Sequence, residues 1–210
     1  VQYNPDELAF FYFLGMAYYQ KDDADAALDA FRRGASEINA QSDAAMASDF
    51  YALMGDILHQ KGQDEAAFAA YDSCLQWKDD NLSCLNNYAY YLSTLSRDLT
   101  KAEQMSYKTV KAEPNNATYL DTYAWILFQQ KRYSEAKIYI DQAVRNDSDS
   151  LVSSVIIEHA GDIYVMNGEP DRAVEYWQKA IQHGGDKAVL SRKIRLRKYV
   201  APDAPAVQGK

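Results

Sequence analysis

Cysteine, histidine, glycine and long apolar runs are all scarce here, and each shortage removes a class of function. The three histidines, His59, His159 and His183, lie far apart in the 210 residues, with no second ligand at metal spacing. A pair one helical turn apart, as in HExxH, is absent. Nine glycines are spread thinly and form neither a phosphate-cradling loop nor a nucleophile elbow. No stretch of about 18 apolar residues exists to span a membrane. Cys74 and Cys84 are the only two cysteines. They fall in adjacent expected helices, so a disulfide stays open beside the preferred reading of two buried free thiols. No catalytic constellation remains, and the chain is read as non-enzymatic, with no cofactor and no metal. Carboxylates abound, so finding two of them for acid–base work would carry no information.

Positive charge is also short, and unevenly placed. The net charge is −8; residues from Asp186 onward carry +5, leaving −13 on the rest. So acidic a body argues against nucleic acid and suits a neutral or basic partner. The chain opens on Val1 with neither Met nor a charged-then-apolar leader. That predicts a trimmed or processed product lacking its native N-terminus.

What is present is a recurring unit. In 116–147 the residues Leu120, Tyr123, Ala124 and Leu127 share one helical face, a polar run at 129–133 interrupts, and Ala136, Ile140 and Ala143 resume the spacing. Neither helix is stable alone, and the pair leaves an apolar face that needs copies on both sides. The copies occur. Gly15, Gly55, Ala89, Ala124 and Gly161 mark the same position, with separations of 40, 34, 35 and 37. Phe31, Tyr71, Ser106, Ile140 and Trp177 occupy the matching site of each second helix. A period of about 34 residues per helix–turn–helix unit is diagnostic of one repeat architecture.

These residues resemble the tetratricopeptide repeat family, in its bacterial form. FLGMAYYQKDDADAALDAF and HAGDIYVMNGEPDRAVEYWQKA follow the family pattern well; the third unit departs from it, with Ser106 for a large residue and Ala89 for Gly. The resemblance implies an all-α fold: a right-handed α-solenoid of five units, closed by a C-terminal helix. The expected organisation is a lead-in (1–7) and an array (8–185) of repeats 8–41, 42–81, 82–115, 116–150 and 151–185. A capping helix (186–200) and a flexible tail (201–210) follow. Helices are predicted over 8–20, 24–37, 43–60, 64–77, 82–96, 151–166 and 186–199. Thr100 with Glu103 makes a capping box for the sixth, Gly62 a left-handed cap and Pro170 the first turn of the tenth. The first helix carries Phe10, Phe11, Tyr12, Phe13, Tyr18 and Tyr19. An apolar surface nearly all round wants burial on both sides, under an upstream repeat by preference or against a second copy; the alternative is a terminal helix that leaves some aromatics exposed. The basic run from Arg192 to Lys198 reads as a solvated face.

The resemblance also implies that first helices line a concave groove. The expected side chains there are Tyr12, Met16 and Tyr19, then Asp49, Ala52, Asp56 and His59, then Asn86, Asn87 and Tyr90. Asp121, Thr122, Trp125 and Phe128 follow, then Glu158, His159 and Asp162. Of these Asp56, Asn86, Asn87, Tyr90, Asp121, Trp125, Glu158 and Asp162 are the candidate peptide-binding residues. None of the positions is Lys or Arg. Family members that clamp the acidic tails of heat-shock chaperones use such cations, so this groove is not expected to hold them. Asn can both donate to and accept from a peptide backbone, and aromatics supply rigid contact area, or else pack between first helices. The expected function is a protein–protein interaction scaffold holding an extended, neutral or basic segment. The alternatives are a recruiting arm of a larger enzyme or cell-envelope complex, or a self-associating module. The composition resembles bacterial repeat proteins of the envelope, periplasm or cytoplasm.

Overall fold

The computed structural model describes residues 5–147 and 153–201, with side chains from residue 7 onward. All of the regular structure among them is helical: α1 (Pro5–Tyr19), α2 (Ala24–Glu37), α3 (Ala44–Gln60), α4 (Asp64–Trp77), α5 (Leu82–Thr94), α6 (Leu99–Ala112), α7 (Ala117–Gln129), α8 (Tyr133–Asn146), α9 (Ser154–Met166), α10 (Pro170–Gln182) and α11 (Lys187–Leu196). The chain forms two compact units, Val1–Tyr91 and Leu92–Lys210. In the first, α1 packs on α2, α2 on α3 and α3 on α4. In the second, α6 to α11 pack in sequence, and α7 also meets α9. Packing is therefore between neighbours, as expected where no single pair covers its own apolar face.

The five inner turns share one device. Asp22, Gly62, Ser96, Lys131 and Gly168 all have left-handed φ. The following residue donates its N–H five residues back: Asp23 to Tyr18, Gln63 to Leu58, Arg97 to Leu92, Arg132 to Leu127 and Glu169 to Tyr164, at 2.8–3.1 Å. This closes the carbonyls left open at a helix end and turns each chain sharply into its second helix. Gly62 is the left-handed cap expected of it, with φ 70°.

Within each hairpin the small residue of the first helix faces the large one of the second. A Cβ built on Gly15 or Gly55 would lie 2.5 Å from the ring of Phe31 or Tyr71. Gly161 stands in the same relation to Trp177. Phe31, Tyr71 and Trp177 are completely buried. At the C-terminal end Leu190 of α11 joins Ile157, Tyr164, Ala173, Trp177 and Ala180 in one core, so α11 covers the last hairpin.

Several expectations need correction. Helix α1 begins at Pro5, inside the expected lead-in; residues 1–4 lie outside the described residues, as do 202–210 of the tail and 148–152. The capping box at Thr100 does not form. Asp98 is the N-cap, its carboxylate accepting from Lys101 N at 3.2 Å, and the helix starts one residue before Thr100. Glu103 is drawn elsewhere, to Arg132 Nη1 at 2.7 Å and Gln130 Nε2 at 2.8 Å. Cys74 and Cys84, by contrast, are free and buried as the preferred reading had them. Phe10 and Phe13 of α1 stand 59% and 68% exposed.

Candidate functional site

In the first unit the candidate residues form a hydrogen-bonded row. Asn86 Nδ2 donates to Asn87 Oδ1 at 3.2 Å, and Asn87 Nδ2 donates to Asp56 Oδ1 at 3.0 Å. The Tyr71 hydroxyl donates to the same Asp56 oxygen from α4 at 2.5 Å. Asn86 is buried, and its Oδ1 is one of three buried side-chain polar atoms without a partner among the described residues. Burial raises the Asp56 carboxyl above its ordinary value, against the pull of Tyr71, Asn87 and His59. Aromatic rings flank the row. Tyr90 leans on Tyr91 at 5.8 Å, and Tyr91 stacks on His59 at 3.7 Å. Asp56, Asn87 and Tyr90 are half-buried.

The second unit treats its candidates differently. Trp125 is 5% exposed and Phe128 4%; the rings stack at 4.7 Å, and Trp125 also stacks on His159 at 4.0 Å. The packing alternative therefore describes both. His159 Nδ1 lies 2.9 and 3.0 Å from the two carboxylate oxygens of Asp121. Lys193 of α11 reaches Glu158 at 2.7 Å and both oxygens of Asp162 at 2.7 and 2.8 Å. It is 2% exposed, so the basic run is not wholly a solvated face. Trp177 Nε1 adds a bond to Asp162 at 3.0 Å. Beyond α11, Tyr199 meets Phe128 edge-on at 5.0 Å, with Lys193 above its ring. Lys193 and Tyr199 were missed in the sequence. The available signal was that Lys193 follows Leu190 by three residues and precedes Ile194, which puts it on the apolar side of its helix.

Tetratricopeptide repeat profiles match residues 48–81 and 117–150, and a further one matches residues 1–44. The chain belongs to the tetratricopeptide repeat family. This tetratricopeptide protein is similar to TTC0263, a thermophilic TPR protein of Thermus thermophilus: TM-score 0.67, 16% identity, 90% of this chain and 98% of that one covered. It is similar also to MamA of Desulfovibrio magneticus RS-1 (0.68, 15%, 85% and 95%) and to pilF of Pseudomonas aeruginosa (0.69, 19%, 91% and 87%). At these identities the likeness establishes the fold, an all-α solenoid. No curated protein sequence matches the chain. Proteins of this family serve in general as non-catalytic protein-interaction scaffolds.

The buried charges set a pH dependence. Burial pulls the His159 imidazole down, but Asp121, with Asp162 and Glu158 behind it, lifts it above its ordinary value. Burial pushes Asp162 up from 3.8 to about 6 despite Lys193. Both groups hold protons more tightly folded than unfolded. Their contribution is fully present below the unfolded pKa and is lost as pH rises through the folded one. For Asp162 that window runs from 3.8 to about 6; for His159 it lies above the ordinary imidazole value. Falling net charge near the isoelectric point acts in the same sense. The melting temperature is therefore expected to rise between about pH 8 and about pH 5.5, with a shallower slope in His159→Gln. Calorimetry across that range checks it, and a flat or falling profile contradicts it.

Proposed function

We propose that this protein is a non-catalytic scaffold whose first unit holds an extended, neutral or basic segment of a partner protein. The segment lies along the first helices α1, α3 and α5. The observation that carries the reading is the row Asn86–Asn87–Asp56, with Asn86 buried and Asn87 and Asp56 half-buried beside Tyr90 and Tyr91, on a face whose expected lining contains no Lys or Arg. Amides there can bond a peptide backbone in both directions, and the rings offer flat area at low entropic cost. In the second unit the acidic candidates Asp121, Glu158 and Asp162 already have His159 and Lys193 as partners. They support the array instead of facing a ligand. Titrating the isotope-labelled protein with a blocked, extended basic peptide tests this. Amide shifts are expected at Asp56, Asn87 and Tyr90; saturable binding that leaves those three unmoved defeats the reading.

A further inference from the structure

Two of the five hairpins carry an Asp directly after the packing glycine: Gly55-Asp56 and Gly161-Asp162. In both, the carboxylate accepts a hydrogen bond from the second-helix aromatic fifteen residues on, Tyr71 Oη in one and Trp177 Nε1 in the other. In both, it meets a third residue thirty-one positions on. For Asp162 that residue is Lys193, whose ammonium contacts both oxygens. For Asp56 it is Asn87, a neutral amide at 3.0 Å. The chain thus builds the same site twice and, among the described residues, supplies a lysine to only one of them.

The electrostatics of the two sites differ accordingly. Burying a carboxylate is costly unless a positive group answers it. Lys193 does so at Asp162. At Asp56 both hydrogen bonds converge on Oδ1, and no Lys or Arg is ion-paired with it among the described residues. Asn86, one residue from Asn87, adds a buried acceptor that lacks a donor. Around Asp56 stand His59 and Tyr91, stacked, with Tyr90 against Tyr91, and aromatic faces attract cations. The negative charge of Asp56 is also felt by Tyr91, whose hydroxyl is pushed up to about 12, first by burial and then by this carboxylate.

We infer that Asp56 is the docking point for a lysine or arginine side chain of the partner segment, which supplies from outside the cation that Lys193 supplies at Asp162. This rests on the scaffold reading and names the chemistry of the segment. The ammonium or guanidinium sits on the Asp56 carboxylate beside Tyr90 and Tyr91 and donates to Oδ2. Asn87 holds Oδ1 in place. The partner is accordingly a basic extended polypeptide.

The test uses a labelled, blocked glycine–serine peptide carrying lysines, and a twin with norleucine in their place, followed by fluorescence anisotropy. The full chain is expected to prefer the lysine peptide. Asp56→Asn is expected to weaken that peptide roughly tenfold, the worth of one charge-assisted bond, and to leave the twin unchanged. Asn87→Lys provides a second variant that keeps Asp56. Its new ammonium is expected to occupy the carboxylate as Lys193 occupies Asp162, which weakens the lysine peptide and raises the melting temperature above that of Asn87→Gln. Circular dichroism confirms that each variant is helical. Equal binding of the lysine peptide by wild type and Asp56→Asn overturns the inference and leaves the scaffold reading standing. Equal affinity of the wild type for both peptides does the same. Failure of both peptides to bind the wild type overturns the inference and the scaffold reading together.

Discussion

Lys193→Ala is expected to destabilise the protein by about 3–5 kcal/mol, the usual cost of breaking a buried ion pair from one side. Lys193 is 2% exposed, Asp162 is 1% exposed, and Glu158 shares the same cation. Without Lys193 the Asp162 carboxylate keeps only the Trp177 indole N–H and must be desolvated unpaired or take up a proton. The loss should therefore shrink at acid pH, where protonation relieves it. The double change Lys193→Met with Asp162→Asn removes both charges at similar volume and should cost far less than the single change. Denaturant unfolding of the two variants at neutral and acid pH measures this. A single-variant loss no larger than that of an exposed ion pair, about 1 kcal/mol or less, contradicts the burial assigned to Lys193.

The second large effect concerns the hairpin itself. Gly161→Val is expected to cost about 3 kcal/mol, at the upper end of overpacking losses. The ring facing Gly161 belongs to Trp177, which is completely buried and tied through Nε1 to Asp162 at 3.0 Å, so it cannot swing aside. Glycine is a poor helix former, and an exposed Gly→Ala change would gain about 1 kcal/mol. Here Gly161→Ala should lose stability instead, because its Cβ meets the same ring. Thermal unfolding decides the sign: any gain in stability from Gly161→Ala means that the two helices do not approach as closely as described.

The hairpins were legible in the sequence because their contacts repeat. The small residues Gly15, Gly55 and Gly161 and the aromatics Phe31, Tyr71 and Trp177 recur at one fixed spacing, and α4 runs over the expected residues. Boundaries were less legible where several polar residues compete for one cap. Asp98, in a left-handed conformation with φ 35°, reaches Lys101 N, and Thr100 is left inside the helix. For the site, the shared position of the candidates in each first helix could be read, but exposure could not. Trp125 looks like a binding platform by position, yet it is buried and stacks on both His159 and Phe128. Asp56 and Asp162 look alike by position, yet only the partner thirty-one residues later separates an answered charge from an unanswered one. That difference is one amide against one ammonium, which periodicity does not register. The character of the second helix follows the same logic. Asp56 and Asp162 face Tyr71 and Trp177, which can donate, while Met16 stands at the same position in a hairpin whose aromatic is Phe31, which cannot.

The central claim is that the inner face of the first unit receives a basic, extended polypeptide at Asp56, Asn87 and Tyr90. The measurement that bears on it most directly is the amide-shift titration, run in parallel with a basic peptide and with its acidic counterpart. The account predicts saturable shifts at those three residues with the basic peptide and none with the acidic one. Shifts gathered on the second helices α2 and α4, or stronger binding of the acidic peptide, would contradict it.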